Sequence, residues 1–151
     1  MPCQYAENGN LAAVGTHATA ITLASIAGLR PRLFGWNVGP HSVPNSTDCS
    51  LNWTLQLNTA QGTTTAVTPT PTDPGYQAAK GIVGSNASVE PTYTAGNTMW
   101  LNSTNQRASQ LIWTPPNMPI VLVGTASAGI GMQVASSNYT GQADVSFWHE
   151  E

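Results

Sequence analysis

The stretch SLNWTLQLN at positions 50–58 constrains the fold more than any other part of the chain. Leu51, Trp53 and Leu55 alternate strictly with polar residues. Because successive side chains of a β-strand point to opposite faces, this period of two places the apolar side chains on one face of a sheet and the polar ones on the other. The pattern predicts an antiparallel strand with one face in a core and the other toward solvent.

Shorter apolar or alternating segments predict further strands, and turn sequences rich in glycine and proline, such as VGPHSVPNST and TPPNMP, separate them. These segments are residues 18–25, 32–38, 98–102, 109–114, 119–124, 129–135 and 142–150. No segment has a convincing helical period, and GYQAAKGIVGS at 75–85 is expected to give at most one or two turns. About eight short strands predict an all-β fold, a jelly-roll-like antiparallel β-sandwich.

The segment TTTAVTPTPTDPG at 63–75 has the composition of a linker between domains. Only about three predicted strands precede it, which is too few for a separate core. Pro69, Pro71 and Pro74 lack amide donors and restrict the backbone to extended conformations. We therefore expect residues 18–151 to form one domain, in which this segment is a stiff crossover between sheets.

Residues 1–17 contain few hydrophobic residues suited to a core. They predict an extended N-terminal arm that becomes ordered when it docks. A frayed terminus is the alternative.

Charge is the unusual feature of the composition. Only 7% of the residues are charged, and the net charge is −3. The four basic residues disfavour nucleic-acid binding, which needs a basic surface. The longest apolar runs fall far short of the roughly 20 residues of a membrane-spanning helix, and the N-terminus lacks a signal-peptide pattern. We expect a protein made in the cytoplasm that binds neither nucleic acid nor membranes.

Residues suited to catalysis or metal binding are few. The chain has three histidines and seven acidic residues, without HExxH or His-x-His spacing. A pair of carboxylates that meets only in space stays open. Cys3 and Cys49 are far apart in sequence, so two separate thiols are expected, with a disulfide as the alternative. We predict no enzyme activity, no metal and no cofactor.

The five tryptophans divide into two groups. Trp36, Trp53, Trp100 and Trp113 lie within apolar strands and are predicted to pack in the core. Trp148 alternates with Phe147 and is predicted to face outward, in a subunit contact or a stacking surface. A second layer that covers this face is the alternative.

Three segments of the chain resemble a family of small proteins encoded beside the major capsid gene of tailed bacteriophages. The segments are LNWTLQLNTAQGTTTAVTPTPTDPGYQAA, EPTYTAGNTMWLNSTNQRAS and GIGMQVASSNYTGQADVSFWHEE. The shared features are the Trp-bearing strand, the TPxPxDP and PTYTxG turns, the NQRA segment and the C-terminal strand before the two glutamates. The resemblance covers roughly residues 32–151.

The resemblance implies a capsid decoration (cement) protein on the virion surface, which bridges neighbouring copies of the major capsid protein and forms homo-oligomers, commonly trimers. No catalytic residues follow from it. The predicted interface residues are Pro2, Cys3, Gln4, Tyr5, Pro69, Pro71, Pro74 and Trp148. The alternative function is a carbohydrate-binding module of a head fibre or tail, with Trp148 or Trp100 stacked on sugars.

Overall fold

The alternating segments form strands in the computed structural model, which describes residues 2–15, 18–115 and 118–151. Twelve strands and no helix occur among these described residues. In chain order the strands are β1 (Gln4–Leu11), β2 (Ala18–Ala24), β3 (Arg32–Pro40), β4 (Ser50–Ala60), β5 (Thr63–Val67), β6 (Thr70–Pro71), β7 (Ile82–Val89), β8 (Thr92–Asn105), β9 (Gln110–Trp113), β10 (Ile120–Val121), β11 (Gly129–Ala135) and β12 (Ala143–Glu150).

The strands form two six-stranded antiparallel sheets. Sheet A has the order β10-β3-β12-β1-β6, and β9 also pairs with β3. Sheet B has the order β5-β7-β2-β11-β4-β8. The prediction of an all-β antiparallel sandwich is confirmed, whereas the jelly-roll topology stays a prediction. The strand number exceeds eight because β1, β5, β6 and β7 were not expected.

The core lies between the two sheets. In β4, Leu51, Trp53 and Leu55 are completely buried and Asn52 is exposed, as the alternation predicts. The indole N–H of Trp53 donates a hydrogen bond to Oγ1 of Thr104, at 2.8 Å, so the buried ring keeps its polar partner. Burial of this apolar surface is the main favourable term for folding. Further core residues are Leu33, Trp36, Val38, Val145 and Phe147 from sheet A, and Ile21, Leu23, Ile130 and Met132 from sheet B.

The Thr- and Pro-rich segment crosses from one sheet to the other, as predicted. Its first part is β5, which pairs with β7 at the edge of sheet B. Its second part is β6, which pairs with β1 at the edge of sheet A. The N–H of Thr72 donates to the carbonyl of Gln4 at 2.9 Å, which continues this contact. Residues 69–74 are called the proline strap below.

The predicted N-terminal arm is wrong for residues 4–11, which form β1 in the interior of sheet A between β12 and β6. Tyr5 and Leu11 are buried. The inward positions between them hold Glu7 and Gly9, which hide the period of two. A Cβ at Gly9 would lie 2.7 Å from Cβ of Ile21, so only glycine fits where the sheets approach here. Met1, Thr16 and His17 of the predicted arm lie outside the described residues.

Other differences concern strand length. The sequence predicted at most one or two helical turns within residues 75–85. Residues 75–81 instead form turns and irregular chain, and β7 begins at Ile82. The strand predicted at 98–102 extends to Thr92–Asn105, and the one predicted at 119–124 shortens to Ile120–Val121. Cys3 and Cys49 are separate free thiols.

Candidate functional site

A β-bulge in β3 creates the most distinctive surface of the protein. Trp148 is opposite Gly35 and His149 is opposite Leu33, so Phe34 is the extra residue of the bulge. Bulges bend a strand and redirect its side chains. Here Leu33 and Trp36 on either side enter the core, while Phe34 and the Cα of Gly35 face outward and meet the ring of Trp113.

Two tryptophans flank Gly35 on this outer face. Trp113 of β9 and Trp148 of β12 are its partners on the two neighbouring strands. Their ring centroids are 4.9 Å apart with a tilt of 39°, and Trp113 stacks on Phe34 at 5.9 Å and 16°. These three side chains are called the aromatic cluster. It exists because Gly35 leaves the space that the indole of Trp113 occupies.

The ring of Trp113 lies directly over the backbone of Gly35. A Cβ built at Gly35 would lie 2.4 Å from Cε3 and 2.5 Å from Cζ3 of that ring. Trp113 is nevertheless 52% exposed. One side of its ring therefore rests on the sheet, and much of the rest is open to solvent.

An open groove of about 460 Å³ lies beside the aromatic cluster. It is lined by Gln4, Phe34, Trp113, Thr114, Pro119 and Glu150. The Glu150 carboxylate forms a salt bridge of 2.7 Å with Arg32, so its charge is neutralised and its position fixed. The hydroxyl of Thr114 donates to the carbonyl of Phe34 at 3.1 Å and keeps its acceptor capacity.

Beyond the aromatic cluster, the outer face of sheet A carries polar side chains. Asn37, Ser146 and Asn8 are neighbours in register across β3, β12 and β1. Ser146 donates to the Oδ1 of Asn8 at 2.6 Å. In the following row Asn10 donates to the Asp144 carboxylate at 2.6 Å. The face therefore combines an aromatic patch with rows of amide, hydroxyl and carboxylate groups.

A buried charged cluster lies on the inner side of the same sheet. Nδ1 of His149 contacts the Glu7 carboxylate at 2.9 Å and Nε2 contacts Glu151 at 3.2 Å. Burial by itself lowers the pKa of His149, but hydrogen bonds to Glu151 and Glu7 outweigh it and raise this pKa to about 9. Burial raises the pKa of Glu7. The imidazole is therefore held as a cation between two carboxylates.

Glu151 also accepts hydrogen bonds from two backbone N–H groups, those of Lys80 at 2.8 Å and Gly81 at 2.6 Å. Burial raises the pKa of Glu151, but the bonds from His149 and these amides outweigh it, and the pKa is lowered. Tyr5 stacks on the His149 ring at 5.2 Å. Both nitrogens of His149 are engaged within the protein, so the cluster ties the ends of β1 and β12 together.

The residues predicted for the interface have different locations. Pro2, Gln4 and Pro74 are exposed, and Cys3, Pro69 and Pro71 are half-buried. The prediction for Tyr5 as a surface contact is wrong, because Tyr5 is only 2% exposed and its hydroxyl donates to the carbonyl of Gln77. Its ring is the partner of His149 instead.

The structure brings several of these residues together at one edge of sheet A. Tyr5 is opposite Pro71 in the β1–β6 pair, so the N-terminal residues and the proline strap lie side by side. Trp148 is separate from them. It faces outward, as the alternation predicts, but it is half-buried by its contact with Trp113 in the aromatic cluster.

Sequence reasoning missed Trp113. The prediction that Trp113 packs in the core is wrong. Trp36 and Trp53 are buried, as predicted, and Trp100 is partly buried against Trp36. The run LIW at 111–113 is apolar throughout, so its pattern does not indicate which side chains face outward. Leu111 and Trp113 are exposed, and Ile112 packs against the core.

Among the described residues, no group of three or more His, Cys, Asp or Glu side chains is arranged to hold a metal ion. Nor do these residues include a helix that is long and apolar enough to cross a membrane. No protein-family model matches the chain, and comparisons with curated proteins and with solved structures give no match. The resemblance to phage head proteins therefore stays a prediction.

Proposed function

We propose that this protein is a capsid decoration (cement) protein, which binds the outer surface of a phage head and bridges neighbouring capsid subunits. The observation that carries the proposal is the edge of sheet A, where the N-terminal residues and the proline strap lie side by side and Asp73 is the one charged residue of the strap. Pro2, Gln4, Thr72 and Pro74 are exposed along it. We call these four residues the strap surface.

The strap surface is suited to rigid docking. Proline fixes the backbone before contact, and the pairing of β6 with β1 holds the strap against the sheet. Little conformational entropy is then lost on binding. Because Asp73 is the only charged residue of the strap, few ions must be desolvated when this surface meets a capsid.

Oligomerisation is part of the proposal. Strand β8 lies at the edge of sheet B, has no charged residue and exposes Met99 and Leu101, the latter by 69%. An uncharged edge strand with exposed apolar side chains favours contact with another chain. A trimer would present three strap surfaces at once, and multivalency would raise the overall affinity for the shell.

The test is co-sedimentation of the purified protein with undecorated, expanded capsids. A pair of lysine substitutions, Thr72→Lys with Pro74→Lys, places charge on the strap surface and should abolish binding. Ser46→Lys is the matched control, since Ser46 is exposed in the loop after β3, at the opposite end of β3 from the strap. This control should bind like the unmodified protein. Absence of binding by the unmodified protein at about micromolar concentration would contradict the proposal.

A further inference from the structure

We infer that the groove beside the aromatic cluster is a binding site for a neutral saccharide, with Trp113 as the stacking platform. This inference goes beyond capsid docking. The groove lies on the outer face of sheet A and is lined by residues of β1, β3, β9 and β12. Thr72 and Pro74 of the strap surface lie beyond β1, and Gln4 is the one strap-surface residue that also lines the groove.

The first argument is the position of the Trp113 ring. Because the ring rests on the backbone of Gly35 and contacts Phe34, its orientation is fixed before any ligand arrives. The face of an indole carries negative electrostatic potential. The C–H groups on one side of a pyranose ring are weakly positive and flat enough to pack on such a face. A fixed platform of this kind lowers the entropic cost of binding.

The second argument is the set of polar groups around the platform. The groove combines the amide of Gln4, the hydroxyl of Thr114 and the carboxylate of Glu150 with its aromatic floor. Ligand sites typically join apolar walls to a few polar groups that fix the orientation. Sugar hydroxyl groups both donate and accept hydrogen bonds, so they match an amide, a hydroxyl and a carboxylate together.

The third argument concerns charge. The Glu150 carboxylate is paired with Arg32 at 2.7 Å, which leaves the groove without a net charge from these two groups. An acidic sugar or a nucleic acid would need an excess of basic side chains. A purely apolar ligand would remove water from the amide of Gln4 and offer it no hydrogen bond in return. A neutral saccharide satisfies both conditions.

The neighbouring polar row provides room for more than one sugar unit. Asn37, Ser146 and Asn8 lie next to the aromatic cluster on the same face. We therefore assign the face to an oligosaccharide of at least two units, with one ring on Trp113 and the next toward Asn37.

The experiment uses the full chain and a set of neutral hexasaccharides: β-1,4-linked glucose, β-1,4-linked N-acetylglucosamine, α-1,4-linked glucose and α-linked mannose. Binding is followed by amide chemical shifts in NMR spectra. At least one of these should bind with a Kd of about 1 mM or tighter and should shift the signals of β3, β9 and β12. Trp113→Ala should weaken that binding by about tenfold or more.

Val43→Ala is the matched control, because Val43 is an exposed apolar residue in the loop after β3 and does not line the groove. It should bind the saccharide unchanged, and the NMR spectrum of each variant reports whether it is folded. No shift with any hexasaccharide, or equal binding by Trp113→Ala, would overturn the inference. Loss of capsid co-sedimentation in Trp113→Ala, without any saccharide binding by the unmodified protein, would assign the groove to protein docking instead.

The two proposals fail separately. Thr72→Lys with Pro74→Lys should lose capsid binding and keep saccharide binding, since neither residue lines the groove. Trp113→Ala should show the reverse.

Discussion

Nδ1 of His149 lies 2.9 Å from Oε1 of Glu7, and neither side chain has any surface exposed to solvent. Glu7 belongs to the first strand of the chain and His149 to the last. The pair therefore links the first and last strands of the chain, which are neighbours in sheet A. A buried ion pair is costly to desolvate, and its partners depend strongly on each other.

Stability should fall as the pH rises above neutrality. The pKa of His149 is about 9 in the folded protein, against roughly 6.5 in an unfolded chain. A raised pKa contributes stability that is complete below the unfolded value and is lost as the pH rises through the folded one. Urea unfolding should show a lower free energy of unfolding at about pH 9.5 than at pH 6, by on the order of 3 kcal/mol.

His149→Gln is the control for this pH effect. In that variant the loss of stability between the two pH values should largely disappear, although the protein is less stable throughout. An equal pH dependence in both proteins would show that other groups are responsible.

Removal of one partner of the buried pair should cost more than removal of both. Glu7→Leu leaves the His149 cation without its closest partner and should destabilise the protein by about 3–5 kcal/mol. The double variant Glu7→Leu with His149→Leu removes both charges and should lose less than the single one. Chemical denaturation of the two variants and of His149→Leu completes a double-mutant cycle. Additive losses would contradict the proposed coupling.

The sequence was sufficient to predict strands whose inward positions hold large hydrophobic residues. β4 and β12 are of this kind, since Leu51, Trp53 and Phe147 occupy such positions. β1 escaped prediction because two of its inward positions hold Glu7 and Gly9. Their suitability depends on His149 and Ile21, which come from distant parts of the chain. A local pattern contains no information on these partners.

The aromatic cluster was only half predictable for a similar reason. The alternation in β12 indicates that Trp148 faces outward. The exposure of Trp113 depends on the bulge at Phe34 and on the space above Gly35. A bulge changes which residues face outward, and a sequence period does not reveal where one occurs.

Gly35→Ala should disrupt the aromatic cluster. The new Cβ would lie 2.4 Å from the Trp113 ring, so the ring must move away from the sheet. We expect a loss of about 1–3 kcal/mol in the free energy of unfolding and a weaker near-ultraviolet circular dichroism signal from the Trp113–Trp148 contact. Gly15→Ala is the control, since a Cβ there would meet nothing within 4 Å. Unchanged near-ultraviolet spectra in Gly35→Ala would mean that the ring is not held as described.

The proline strap should resist proteolysis, although its composition is that of a linker. β6 pairs with β1, and the backbone of Thr72 is hydrogen-bonded to Gln4, so this part of the chain cannot easily leave the sheet to enter a protease active site. Proline next to a peptide bond hinders cleavage further. Limited digestion with proteinase K, followed by mass spectrometry, should therefore give first cuts outside residues 63–75. The loop around Val43, which is 88% exposed, is the expected site of early cleavage. Early cleavage within 63–75 that yields two separately stable halves would contradict a core shared by both parts of the chain.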